Sequence, residues 1–255
     1  MSYKEFSEID NFNLPKILHL NSANREVLYF GTYHSNSVND SLFTLIEKRF
    51  SQFDPTFVLH EGGSNWPIFK DRDSTIAQSG EPGFIIHLAK ENNIPFESIE
   101  PEEELEYGYL LNKFKLNWVV LMYMCRQIDN QQRLAKAYGT TDEQFVQNMN
   151  YFFRMLKDKG LPLNKYQLEF TYWKQVYQEQ LERKLEWRKF DPDIYYPNKY
   201  LTKLNEVNRA SDEFRNLYMI DKIVRASETY NKVFVLVGGG HLVVQEELLK
   251  HKFSQ

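Results

Sequence analysis

The chain has 255 residues, enough to bury a full core, and length alone fits one large domain or two small ones. Its 31 basic and 35 acidic side chains give a formal charge of −4, which excludes the basic footprint that nucleic acid or an anionic membrane requires. One cysteine, Cys125, excludes an internal disulfide and an all-cysteine metal site; among the apolar neighbours of LNWVVLMYMCRQ it reads as a buried structural thiol.

Four short apolar runs read as buried strands: VLYFGT (27–32), TFVLH (56–60), IPFESI (94–99) and KVFVLVG (232–238). LFTLIEKRF (42–50) and PGFIIHLAKENN (82–93) have helical spacing between them, with Pro82 placed for a first helical turn. The first hundred residues therefore predict β-α-β-α-β with right-handed crossovers. From about 102 to 190 the pattern becomes helical and rich in aromatic residues, and predicts a helical insertion covering a cleft. ELEYGYLLNKFKLNWVVLMYMCRQ reads as one helix, and TTDEQFVQNMNYFFRMLK as a second, with capping-box spacing at Thr141 and Gln144. YQLEFTYWKQVYQEQLERKLEWRK reads as a third, and a further helix begins near Ser211. The expected fold is a single α/β domain over 1–255: a mostly parallel, mixed central sheet flanked by helices, with the insertion over about 102–190.

Two strand ends carry the same unit. Gly31 is followed three residues later by His34, and Gly238 by His241, about 200 residues on. In a doubly wound sheet ligands bind beyond the carboxyl ends of the strands. If the two strands are parallel neighbours, the histidines share one rim, and the glycines let the backbone turn sharply and approach a ligand. The second strand runs into Glu61, and the third offers Glu100, or Glu97 and Ser98 one pleat earlier. Histidines with carboxylates suit a catalytic divalent ion with a water to activate, and equally a general base with an orienting acid and no metal. His60 points away from Glu61 by strand alternation.

Other motifs are excluded by context. GGGH lacks the Lys-Ser/Thr of a phosphate-binding loop, Ser64 in GGSNW lacks the closing glycine of a serine-hydrolase elbow, and no H-E-x-x-H occurs. Arg215 sits one turn into an apolar helix, so it must pair with a structural carboxylate or an active-site anion. Arg72, in FKDRDST, is a loop candidate for the same task.

The motifs GTYH, HEGG, FRNLYM and VGGGHL, in that order, resemble the TraB/GumN/TIKI superfamily of metal-dependent proteases, whose broader relatives include erythromycin esterases, ChaN-like lipoproteins and a domain of the Pasteurella toxin. The resemblance maps Gly31 and His34, Glu61, Arg215 with Asn216, and Gly238 with His241 onto the family's functional positions, with Glu100 after the third strand. The triple glycine departs from the commoner Gly-Ala-Gly-His, and the first residues given are not expected to form the secretory leader that many relatives have.

The resemblance implies a hydrolase of a peptide, amide or ester bond in a peptide or small-molecule substrate. His34 and His241 would bind a divalent ion such as manganese, cobalt or zinc, or poise a water, Glu61 would be ligand or general base, and Arg215 with Asn216 would stabilise an oxyanion; Gly31, Gly238 and Glu100 would support the site, with Arg72 a further candidate from its own position. The alternatives are a metal-free esterase with His34 as general base, and a haem- or metal-binding protein without turnover. No membrane insertion is expected. The localisation expected is cytoplasmic for the chain as it stands, and periplasmic or extracytoplasmic if a leader precedes it.

Overall fold

The computed structural model describes residues 13–22, 24–63, 67 and 69–254, with the backbone alone at 137 and 138. Ser64 lies outside the described residues. The chain divides into two compact units, one formed by Met1–Pro101 with Arg215–Gln255 and the other by Glu102–Phe214.

The first unit is built on a five-stranded mixed sheet in the order β1-β2-β5-β3-β4. The strands are β1 (Lys16–Ser22), β2 (Arg25–Thr32), β3 (Phe57–His60), β4 (Phe96–Ser98) and β5 (Lys232–Gly238). β2, β5, β3 and β4 run parallel, and β1 pairs antiparallel with β2. The four parallel strands occupy the apolar runs; β1 falls where the sequence predicted no strand.

Strand alternation divides the core into two layers. Leu28, Phe30, Val58, Phe234 and Leu236 face one side, packed against α1 (Ser41–Phe53) and α2 (Arg72–Glu91). Val27, Tyr29, Leu59, Val233, Val235 and Val237 face the other, against the C-terminal half of α7 (Lys203–Thr229) and against α8 (Gly239–Phe253). With both faces of β5 covered, its run VFVLV is apolar throughout, as a buried parallel strand requires.

α2 starts ten residues earlier than Pro82 because Asp71 caps it through the Ser74 N–H. It breaks at Gly80, which has φ 55° and ψ −147°, and Pro82 opens the second segment. Arg72 is thus the first residue of a helix, where a loop was expected.

The second unit is helical and has its own core around Val119, Met122, Phe145, Phe153, Trp173 and Leu204. The expected single helix over 104–127 is two, α3 (Glu103–Lys113) and α4 (Leu116–Tyr138), because Phe114 and Lys115 take extended backbone angles between them. α5 (Asp142–Asp158) carries the expected Thr141–Gln144 capping box. The expected third helix is shorter: α6 (Phe170–Leu181) stops at Glu182 in the left-handed region, with 3-10 turns at Lys165–Leu168 and Trp187–Lys189. α7 begins eight residues before Ser211 and supplies residues to both units. Cys125 is fully buried and reduced, and burial pushes its thiol pKa far up, as a structural cysteine requires. No helix among the described residues is long and apolar enough to cross a membrane.

Candidate functional site

The parallel pairing places Thr32 beside Gly238 on β5, Leu236 beside His60 on β3, and His60 beside Ser98 on β4. The carboxyl ends of all four strands therefore lie along one edge of the sheet, and both Gly-x-x-His units sit there on adjacent strands. The ladder continues one residue past β3: Glu61 N–H donates to Leu236 O at 3.0 Å and Ile99 N–H to His60 O at 2.8 Å. Ser98 Oγ donates to Gly62 O at 2.5 Å and accepts from Glu100 N–H at 3.2 Å, which ties the ends of β3 and β4 together. Glu61 and Glu100 thus leave the sheet from fixed backbone.

The glycines act differently from the expectation. β5 passes directly into α8 with no loop, and Gly238 has φ −56°, so no left-handed turn is needed. What these positions require is space. A Cβ on Gly31 would stand 3.1 Å from the Gly239 Cα, and one on Gly239 would meet Leu14 at 2.1 Å. At Gly238 a Cβ would lie 3.2 Å from Glu61 Oε2. The absent side chain lets that carboxylate reach the Gly238 N–H, which donates to it at 2.5 Å.

His241 stands in the first turn of α8. Its Nδ1 lies 2.9 Å from Asn216 Oδ1 on α7, and its Nε2 lies 3.7 Å from Glu61 Oε1. Burial pushes the Glu61 carboxyl upward, but His241, the Gly238 N–H, Arg215 and His34 together outweigh it and hold its pKa below the usual glutamate value. Arg215 forks onto Glu100, with Nε to Oε2 at 3.0 Å and Nη2 to Oε1 at 2.5 Å, both side chains being largely buried.

Among the described residues, Glu61, Glu100 and His241 offer donor atoms that all lie within 4.8 Å of one another. Glu100 takes a place in this set that the sequence had given to His34. The donors suit a divalent ion of intermediate hardness. Two bonds of about 2.1 Å at a tetrahedral angle separate their ligand atoms by ~3.4 Å, close to the 3.7 Å between Glu61 Oε1 and His241 Nε2. Glu61, Glu100 and Arg215 carry one net negative charge, which favours a cation.

His34 has a different partner. Its Nδ1 is 3.4 Å from Glu81 Oε1, and its ring is three-quarters exposed. Glu81 is 2% exposed and also accepts from the Ser35 N–H at 3.2 Å. The break at Gly80 presents this carboxylate: a Cβ there would stand 3.1 Å from Ser35 O, and the positive φ is one that L side chains rarely adopt. His34 Nε2 lies 3.9 Å, and Glu61 Oε2 3.2 Å, from the point where a Gly238 Cβ would be. Glu61 therefore faces His241 with one oxygen and the Gly238–His34 side with the other.

Asn216 and Arg215 are placed for support. Asn216 Oδ1 stands beside His241 Nδ1 and accepts from Gln245 Nε2, and Arg215 pairs with Glu100. Arg72 donates to Asp73 at 3.0 Å and lies over the Phe84 ring. His60 is buried, with Nδ1 3.1 Å from Glu61 O, away from the Glu61 side chain as alternation predicted.

Sequence reasoning assigned no role to Glu81, Gln245 or Tyr29. For Glu81 a signal existed, since Gly-Glu-Pro-Gly breaks a helical run. A groove of about 450 Å³ lined by Phe57, Leu59, Tyr218 and Tyr230 lies beside α7; there Lys222 pairs with Glu97 and Arg225 with Asp221. No family model, curated protein or solved structure matches the chain.

Proposed function

We propose that this sheet edge is the centre of a hydrolase acting on a peptide, amide or ester bond, of the kind the TraB/GumN/TIKI resemblance implies. The observation that carries the reading is the approach of Glu61 Oε1 to His241 Nε2 at 3.7 Å while Nδ1 is engaged by Asn216. With the proton on Nδ1, two lone-pair atoms face one another too far apart for a hydrogen bond, and a cation between them resolves the conflict.

Glu61, His241 and Glu100 would hold that ion, which when bound supplies a Lewis acid for the scissile carbonyl and acidifies water. Arg215 neutralises part of the Glu100 charge and holds its carboxylate in one orientation. His34, exposed and backed by Glu81, takes the proton of the attacking water and returns it to the leaving group. The Gly238 N–H keeps Glu61 ionised and oriented.

The His34–Glu81 pair also supports a second reading, in which His34 acts as general base without any metal. One experiment separates the two. The purified protein is analysed for metal, and hydrolysis of generic peptide and ester substrates is compared with manganese, cobalt, zinc or chelator for wild type, His34→Ala and His241→Ala. Metal-dependent turnover lost in both variants is expected. Turnover that survives chelation and His241→Ala, yet is lost in His34→Ala, selects the metal-free reading; no turnover under any condition, with binding retained, overturns the hydrolase.

A further inference from the structure

Behind His241 a chain of buried polar groups runs from the ring to the middle of the sheet. Asn216 Oδ1, which faces His241 Nδ1 at 2.9 Å, also accepts from Gln245 Nε2 at 2.7 Å. Gln245 Oε1 in turn accepts from the Tyr29 hydroxyl at 2.9 Å. The same Gln245 Nε2 lies 3.3 Å from Met219 Sδ. Tyr29, Met219 and Gln245 are fully buried and Asn216 nearly so.

These contacts have a direction. A thioether only accepts hydrogen bonds, so the end of Gln245 beside Met219 is the NH2 group; a carbonyl there would face sulfur lone pairs. The Tyr29 hydroxyl can rotate, and it serves the opposite, carbonyl end. With the Gln245 NH2 fixed, the Asn216 atom that it faces must be the acceptor Oδ1. The ring nitrogen facing that same oxygen must then carry a proton, which leaves the Nε2 lone pair toward Glu61 Oε1. Burial strengthens each step, because a reversed amide would leave buried polar atoms facing like atoms and unpaired.

We propose that Gln245 is a positioning residue which, together with Met219, sets the orientation of Asn216 and thereby holds His241 in its Nδ1–H tautomer. This deepens the hydrolase reading and rests on it only for the use made of the Nε2 lone pair. A side chain that touches no substrate thus decides whether the site offers a lone pair or an N–H. Tyr29 completes the chain by donating to the carbonyl end of Gln245, and Met219 is the group that sets the direction of that amide.

The test is a two-bond 1H–15N correlation spectrum of the full-length protein at about pH 8, above the ordinary histidine pKa. In the wild type, His241 Nδ1 is expected in the protonated range and Nε2 in the unprotonated range. Gln245→Leu should introduce the Nε2–H species and weaken binding of zinc alone, read by calorimetry, by about 10–100-fold. Met219→Leu conserves volume and should introduce the same species; it decides the matter if Gln245→Leu does not fold. An Nε2–H wild type, or an unchanged Nδ1–H species in the folded variants, overturns the proposal. A wild type with the expected tautomer that binds no zinc and hydrolyses nothing overturns the hydrolase reading and leaves the role of Gln245 standing.

Discussion

The peptide N–H of Gly238 donates to Glu61 Oε2 at 2.5 Å, so the carboxylate that follows β3 is held by the last residue of the neighbouring strand. This bond exists because residue 238 has no side chain. Gly238→Ala puts a Cβ 3.2 Å from that oxygen and should displace it, at a cost of roughly 1–3 kcal/mol in stability and with weaker metal binding. Gly240→Ala is the control. Among the described residues, and apart from its chain neighbours and the backbone of its own helix, no atom lies within 4 Å of a Cβ there, and in the first turn of α8 the change should stabilise by about 0.5–1 kcal/mol. Thermal unfolding of the two variants checks the contrast.

Arg215 and Glu100 form a largely buried, forked ion pair. Arg215→Met leaves a carboxylate stranded beside Glu61 and should cost about 3–5 kcal/mol. The double variant with Glu100→Gln should cost distinctly less than Arg215→Met alone. Urea denaturation of the four species of the double-mutant cycle measures the coupling, and additive losses would refute a paired role.

Glu81→Gln keeps the size of the buried side chain and removes its charge. If His34 is the proton acceptor, kcat/KM on any substrate that the protein turns over should fall by about 10–100-fold while the unfolding midpoint moves little. Unchanged kinetics would assign Glu81 to the architecture of the Gly80 break.

Acid should weaken the fold through His60. Its burial, and to a lesser degree Lys222, lower its pKa against the opposing Glu61 carbonyl, so the folded state resists protonation. The unfolded chain takes up this proton below about pH 6.5, and the folded chain only at lower pH. The contribution is therefore fully present above about pH 6.5 and is lost as pH falls toward the folded value. Between pH 7.5 and 5 the wild type should lose more unfolding free energy than His60→Leu, read by denaturation at both pH values.

β2, β3 and β5 were legible because buried strands covered on both faces carry mostly apolar runs, and β4 because IPF stands out between turn residues. β1 was not. As an edge strand it places Leu18 and Leu20 in the core and leaves His19 exposed, and three alternating residues beside polar ones do not stand out. α8 was missed because three glycines announce a turn, whereas here Gly239 serves close packing with Gly31 and Leu14, and Gly238 leaves room for the Glu61 carboxylate. His34, His241 and Glu61 were legible as residues at strand ends, and that is where the structure places them. Glu81 and Gln245 come from helices that reach the site through tertiary contacts; only the Gly-Glu-Pro-Gly break marks Glu81, and the spacing around Gln245 carries no trace of its role.

α7 carries Arg215, Asn216, Met219 and, one turn on, Lys222 along a single continuous helix. Its consequence is rotational phase. Each residue added to a helix turns everything beyond it by about 100°. One inserted residue between Asn216 and Met219 would keep every contact type available and still swing the sulfur away from Gln245. An insertion ahead of Lys203, in the turns around 192–202, leaves the phase intact. The number of residues along the helix, as much as their chemistry, is what the site depends on.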